Sequence, residues 1–137
     1  MYRQLDEKVL VSGQISPADV PELRRHGVTM IVNNRPDGED DGQPLAADIE
    51  AAAEAEGIGY CHVPIARGMG PSHVEAMREA LNSCADGKVL AFCRSGTRST
   101  WLWALARKAG GGDGGEIIRQ AAAAGYDLSP LAGLLLR

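Results

Sequence analysis

The fold is decided by residues 89–99, whose sequence is VLAFCRSGTRS. Val89 to Phe92 is uniformly apolar, which predicts a central strand that is covered on both faces of a sheet. The polar turn that follows leads into TWLWALARKA at residues 100–109, which predicts a helix that is apolar on nearly all sides. A buried strand joined by a short turn to a buried helix is typical of an α/β domain.

The rest of the chain alternates strand and helix patterns around this pair. Further strands are predicted at Lys8–Gln14, Met30–Val32 and Tyr60–Ile65. Predicted helices begin at Ser16, at Pro44 or Leu45, at Ser72, at Asp113 and at Ser129, and the pairs Ser72/Glu75 and Asp113/Glu116 have capping-box spacing. This alternation predicts a three-layer α/β fold in one domain over residues 1–137. Its mostly parallel sheet has four to five strands flanked by helices, and ligands of such sheets usually bind at the carboxyl ends of the strands.

The composition favours a protein of a reducing compartment. Three cysteines at irregular spacing predict neither a disulfide framework nor a CxxC metal site. No apolar segment has the length of a signal sequence or of a membrane span. The net charge of −4 weighs against nucleic acid or an anionic membrane as a partner. We therefore expect a soluble, cytoplasmic protein without metal or cofactor, and its oligomeric state stays open.

The charge is divided unevenly along the chain, and the basic half contains Cys93. Residues 1–57 carry 12 acidic and 5 basic side chains, whereas residues 58–137 carry 6 acidic and 9 basic ones. An anion would prefer the second half.

The turn after Val89–Phe92 has the features of an oxyanion cradle. A loop that turns from a strand into a helix directs backbone N–H groups and the positive end of the helix dipole toward one point. Gly96 permits such a loop to curl, and Arg98 can clamp an oxyanion with two parallel hydrogen bonds. The same surroundings favour the thiolate form of Cys93, which predicts a nucleophile. The predicted anion-binding residues are Arg94, Ser95, Gly96, Thr97 and Ser99, with Thr97 or Ser99 bonded to the sulfur or capping the helix.

Each chemically notable side chain also has a purely structural interpretation. Cys93 could be a packed thiol beside two surface arginines. The side chains interpreted as structural are Cys61 and Cys84 as inert thiols, His62 and His73 as structural or solvent-facing groups, and Trp101 and Trp103 as core.

Cys93 to Ser99 resembles the active loop of the protein tyrosine and dual-specificity phosphatases and of the rhodanese sulfurtransferases. Together with VNNRPDGEDDGQP at residues 32–44 and AAAAGYDLS at residues 121–129, almost the whole chain resembles the bacterial beta-lactamase-hydrolase-like family, whose members have a phosphatase-like domain. The resemblance implies a dual-specificity-phosphatase-like fold, Cys93 as nucleophile and Arg98 as the anion-binding arginine.

Two departures from the phosphatase pattern bear on the reaction. Four residues separate Cys93 from Arg98, which is the rhodanese spacing and one fewer than in tyrosine phosphatases. In the dual-specificity group, an aspartate on the loop after the strand corresponding to YCHVPI protonates the leaving group. Here that loop is ARGMG at residues 66–70, which has no carboxylate. The shorter loop narrows the cradle, and sulfite leaves thiosulfate without a strong acid. Both departures therefore favour sulfur transfer over phosphate hydrolysis.

The loop after Met30–Val32 holds most of the remaining candidates. Asp37 either acts as the general acid of a phosphatase or shapes the Pro36–Gly38 turn. Asn34 and Arg35 are candidate pocket residues, and Arg67 on the later loop would add positive charge. The remaining acids, Glu39, Asp40 and Asp41, are interpreted as a solvated run.

These observations predict a cysteine-dependent sulfurtransferase. Cys93 would take sulfur from thiosulfate or a persulfide and pass it to an acceptor thiol. The alternative is a phosphatase with a phosphocysteine intermediate, and the third hypothesis is a non-catalytic module that binds oxyanions. In each case the partner is a small anion.

Overall fold

The computed structural model describes residues 2–84 and 86–137, and its centre is a five-stranded sheet. The strands are β1 (Arg3–Gln4), β2 (Val9–Ser12), β3 (Val28–Asn33), β4 (Gly59–His62) and β5 (Lys88–Phe92). Their order is β1-β2-β5-β3-β4, so the apolar segment before Cys93 is the middle strand, as predicted. β1 is antiparallel to β2, and all other neighbouring strands are parallel.

Helices cover both faces of the sheet. The helices are α1 (Val20–Arg25), α2 (Ala46–Ala55), α3 (Pro71–Asn82), α4 (Thr97–Ala109), α5 (Gly114–Ala123) and α6 (Ala132–Leu135), with 3-10 turns at Pro17–Asp19 and Ser129–Leu131. Within residues 2–84 and 86–137, no helix has the length and apolarity that a membrane crossing requires. The architecture confirms the predicted three-layer, mostly parallel α/β fold.

β5 supplies side chains to two separate cores because successive residues of a strand point to opposite faces. Leu90 and Phe92 pack in the core that α1 and α2 cover. Val89 and Ala91 pack in the larger core, which α3 to α6 cover. All four side chains are fully buried, which explains why no polar residue stands between Lys88 and Cys93.

The strand register brings the carboxyl ends of four strands to one edge of the sheet. Phe92 is paired with Ser12 of β2 and with Asn33 of β3, and Asn33 is paired with His62 of β4. The loops that follow β3, β4 and β5 therefore meet at this edge, where ligands of parallel sheets bind.

The start of α3 differs from the prediction. α3 begins at Pro71 with Gly70 as its N-cap, and the Gly70 N–H donates to Nδ1 of His73 at 2.9 Å. The predicted Ser72/Glu75 capping box is wrong, because proline suits the first helical position and fixes the start earlier. Asp113 is confirmed as the N-cap of α5, since its side chain accepts the backbone N–H of Glu116 at 2.9 Å.

Candidate active site

Cys93 follows β5 directly and lies beneath the start of α4. Its side chain is fully buried, and the backbone N–H of Gly96 donates to its Sγ at 3.1 Å. Gly96 is the N-cap of α4 and has a φ of +91°, which L-residues rarely adopt. The loop therefore curls back over the sulfur and presents a backbone donor to it.

Arg98 is held by contacts from two other loops. Its Nη1 donates to the carbonyl oxygen of Ile65 at 2.7 Å and to Oε2 of Glu39 at 2.8 Å. Its Nη2 donates to Oε1 of Glu39, also at 2.8 Å. The Glu39 carboxylate raises the pKa of Arg98, and the neighbouring Cys93 sulfur adds to this effect. Arg98 is thus fixed as a cation beside the Cys93 sulfur.

Glu39 has a role in the site that the sequence analysis missed. Nε of Arg35 donates to Oε1 of Glu39 at 2.9 Å, so the carboxylate bridges two arginines. These contacts lower the pKa of Glu39 to about 2, chiefly through the hydrogen bonds from Arg98, while partial burial opposes the shift. Asp40 accepts from Nη2 of Arg35 at 2.5 Å and lies 3.4 Å from Nε of Arg94.

Glu39 and Asp40 are exposed, as their interpretation as a solvated run requires, but both carboxylates are also paired with arginines, which that interpretation did not predict. The strand order indicates this pairing, because β3 and β5 are neighbours and the loops after them lie side by side. The acidic side chains of the first loop can therefore pair with the arginines of the second.

Asn34 and Arg35 connect the loop after β3 to the rest of the site. Asn34 is buried, donates from Nδ2 to the carbonyl oxygen of Val63 at 3.0 Å, and accepts the Ser99 hydroxyl at 2.8 Å. Arg35 is also buried and donates from Nη1 to Gln14 at 3.0 Å. Ser99 thus tethers α4 to this loop.

The side chains on the rim of the loop make few contacts. The Ser95 hydroxyl donates to Oγ1 of Thr97 at 3.1 Å. For residues 2–84 and 86–137, the predicted bond from Thr97 or Ser99 to the sulfur is not found. Arg94 remains 70% exposed, and Arg67 is exposed on the loop after β4.

Asp37 makes its hydrogen bond at the start of a helix. Its Oδ1 accepts the backbone N–H of Ala46, the first residue of α2, at 2.8 Å. A carboxylate at this position satisfies an N–H group that has no partner within the helix. The contact agrees with the loop-shaping interpretation, and a role for Asp37 in proton transfer stays a prediction.

Tyr126 covers the loop from the side of α5, and the sequence analysis gave it no role. Its hydroxyl donates to the carbonyl oxygen of Ser95 at 3.1 Å, and burial raises its pKa. A Cβ on Gly96 would overlap the Tyr126 hydroxyl, so close packing as well as φ requires glycine there. The aromatic residue in AAAAGYDLS was its only sequence signal.

The arrangement suits nucleophilic attack on an oxyanion-bearing substrate. It combines a thiol, a backbone donor directed at it, the start of a helix and a fixed arginine. In the part of the chain that the structure describes, no group of three or more His, Cys, Asp or Glu residues is placed to hold a metal ion.

A mostly parallel α/β sheet whose central strand ends in a cysteine–arginine loop is the architecture that this chain shares with phosphatases of known structure. The kinase associated phosphatase has the same fold, with a TM-score of 0.73 over 96% of this chain and 87% of that one at 18% identity. The family model "Beta-lactamase hydrolase-like protein, phosphatase-like domain" matches residues 1–110. The chain belongs to this family, which confirms the resemblance seen in the sequence.

Two relatives with higher identity carry related names. The beta-lactamase hydrolase-like protein of Agrobacterium fabrum is 37% identical over 105 residues, which are 74% of this chain and 24% of the relative. The chain thus spans about a quarter of the length of that curated relative. A crystal structure from Neisseria meningitidis, described provisionally as a phosphatase, has a TM-score of 0.80 and 38% identity, with 97% of this chain and 94% of that one covered.

These similarities support the phosphatase alternative better than the sulfurtransferase that the sequence analysis favoured. The names concern a phosphatase-like domain and phosphatases, and the expectation of a rhodanese-like reaction receives no support from them.

Proposed function

We propose that this chain is a cysteine-dependent phosphatase. The Cys93 thiolate attacks the phosphorus of a phosphate monoester, an S–P bond forms, and the P–O bond to the leaving group breaks. Water then hydrolyses the phosphocysteine to phosphate and free Cys93. The observation that carries this proposal is the Gly96 N–H directed at Sγ of Cys93 at 3.1 Å, beside Arg98 in a phosphatase-like domain.

The loop and Arg98 stabilise the transition state in this proposal. Charge on the transferring phosphoryl oxygens is met by backbone N–H groups at the start of α4 and by the guanidinium of Arg98. Glu39 accepts from both Nη1 and Nη2 of Arg98 and the carbonyl oxygen of Ile65 accepts from Nη1, which fixes the orientation of the guanidinium. Such fixed donors need little reorganisation during the reaction.

The carboxylates near the loop determine which leaving groups are suitable. Glu39, with a pKa of about 2, holds no proton at neutral pH, and Asp37 is bonded to the start of α2. The loop at residues 66–70 has no carboxylate. We therefore propose substrates whose leaving group departs without a proton, such as aryl or acyl phosphates, rather than simple alkyl phosphates.

Turnover of p-nitrophenyl phosphate tests the reaction. The wild-type protein should release nitrophenol in a burst followed by steady turnover, and Cys93→Ser should abolish both while circular dichroism stays unchanged. In a series of aryl phosphates, the burst rate and kcat/KM should fall steeply as the leaving phenol becomes less acidic, because the phenol departs in the first step. Turnover that survives in Cys93→Ser would refute the proposal.

Sulfur transfer is the second candidate, and the short loop favours it. Four residues between Cys93 and Arg98 narrow the cradle, and sulfite needs no general acid to leave thiosulfate. In this reaction the Cys93 thiolate forms an S–S bond with the outer sulfur of thiosulfate while the bond to sulfite breaks. Thiosulfate with cyanide should then yield thiocyanate, and a Cys93-dependent release of phosphate without thiocyanate would eliminate this candidate.

A further inference from the structure

An apolar cleft borders Arg98 on the side of the loop after β4. It has a volume of about 440 Å³ and lies between that loop, α4 and the C-terminal helix α6. Its apolar lining includes Ile65, Met69, Trp101, Leu105, Leu131 and Leu134. Clefts of roughly 300–1,000 Å³ with mostly apolar walls are typical of small-molecule sites.

The cleft is continuous with the candidate active site through one side chain. Arg98 lines the cleft, and the Cys93 sulfur lies close enough to influence the same guanidinium. An anion held at Arg98 therefore has an apolar surface beside it. Charge at one end and hydrocarbon along the other match an amphipathic anion.

One feature of the cleft wall is unfavourable when only water contacts it. Leu134 is 46% exposed there. A molecule that covers Leu134 removes apolar surface from water, which is favourable.

We propose that this cleft binds the apolar part of the substrate, so that the preferred substrates are aryl or acyl phosphates that carry a hydrocarbon group. The inference rests on the proposed function in taking Arg98 as the anion-binding group. It adds a specificity-determining surface outside the cysteine–arginine loop, with Leu134 of α6 and Leu105 of α4 in contact with the hydrocarbon.

Binding of unreactive phosphonates tests the inference without any need for turnover. Methylphosphonate and hexylphosphonate carry the same charged group and differ in hydrocarbon length, and calorimetry gives their dissociation constants. Each buried methylene contributes about fourfold to affinity. Because only part of the chain is expected to be buried, we expect hexylphosphonate to bind at least tenfold more tightly.

Two exposed leucines provide a matched pair of variants. Leu134 lines the cleft, whereas Leu136 is 63% exposed and is not part of the lining. Leu134→Gln should weaken hexylphosphonate binding about threefold or more and leave methylphosphonate unchanged. Leu136→Gln should change neither, and both variants should keep the thermal midpoint of the wild type.

Each outcome has a defined meaning. Equal affinities for the two phosphonates, or equal effects of the two variants, would overturn the inference even if p-nitrophenyl phosphate is hydrolysed. Chain-length discrimination that depends on Leu134 would support it even if no phosphate is released, and only the proposed phosphatase reaction would then fail. A dimer by sedimentation that Leu134→Gln alone dissociates would identify a second copy of the chain as the occupant and would overturn the inference.

Discussion

Glu39 is the residue on which the positions of two arginines depend. It accepts hydrogen bonds from Arg98 and Arg35 and keeps about a quarter of its side chain exposed. Because its pKa is depressed in the folded protein, its ionised form stabilises the fold at neutral pH. This contribution is fully present above the unfolded value of 4.5 and is lost as pH falls through about 2.

Glu39→Gln should therefore lower the free energy of unfolding by about 1 kcal/mol at pH 7, a value typical of partly solvated ion pairs. The difference between wild type and variant should stay constant above about pH 5 and shrink between pH 5 and pH 2. Urea unfolding at a series of pH values measures it. Glu54→Gln, an exposed position on α2, is the control, and a pH-independent difference at Glu39 would contradict the ion-pair explanation.

Asp37 offers a test of the two roles that its sequence position allows. If it only satisfies the N–H of Ala46, Asp37→Asn keeps the acceptor and leaves stability and kcat for aryl phosphates near those of wild type. Asp37→Ala should then lose about 1 kcal/mol of stability, as for other helix-start acceptors. If Asp37 is the general acid, kcat falls in both variants, and the decrease of kcat at alkaline pH disappears.

The loop-to-helix connection at Gly96 leaves no room for a side chain. Gly96→Ala should destabilise the protein by about 2 kcal/mol or more, because an alanine at φ +91° is strained and its methyl group overlaps the Tyr126 hydroxyl. Thermal unfolding measures the loss. Gly133→Ala is the control, since a Cβ there meets nothing within 4 Å and φ is not positive. A similar loss of thermal stability in both variants would contradict the explanation by strain and overlap at Gly96.

Local sequence patterns were sufficient to predict a strand or a helix start where a single feature, such as an apolar segment, dominated. Four apolar segments identified four of the five strands, and β1 was missed because Arg3–Gln4 is short, polar and exposed. The start of α3 was misplaced because two capping signals competed and proline was decisive. The pairing of Glu39 with Arg98 spans 59 residues, so it depends on which strands are neighbours and has no local signature.

For the whole molecule, the segment after residue 110 belongs to the same core as the sheet. The family model ends at residue 110, yet Ile117, Leu128 and Leu135 are buried in the cluster that contains Val11 and Trp103. A chain that ends at Gly112 should lose cooperative thermal unfolding and become sensitive to proteases, because it exposes this face of the core. A cooperative transition in that truncated chain would show that α5 and α6 are dispensable.

The central position of β5 has a consequence for how the site moves. Hydrogen bonds tie the end of this strand to both neighbours, from Asn34 N to Phe92 O at 2.8 Å and from Cys93 N to Ser12 O at 3.4 Å. Central strands usually exchange their amide hydrogens only when the whole protein unfolds, whereas exposed loops open far more often. Cys93 is thus anchored to a strand whose amide hydrogens should exchange slowly, and the loop with Glu39 can open without displacing the Cys93 sulfur.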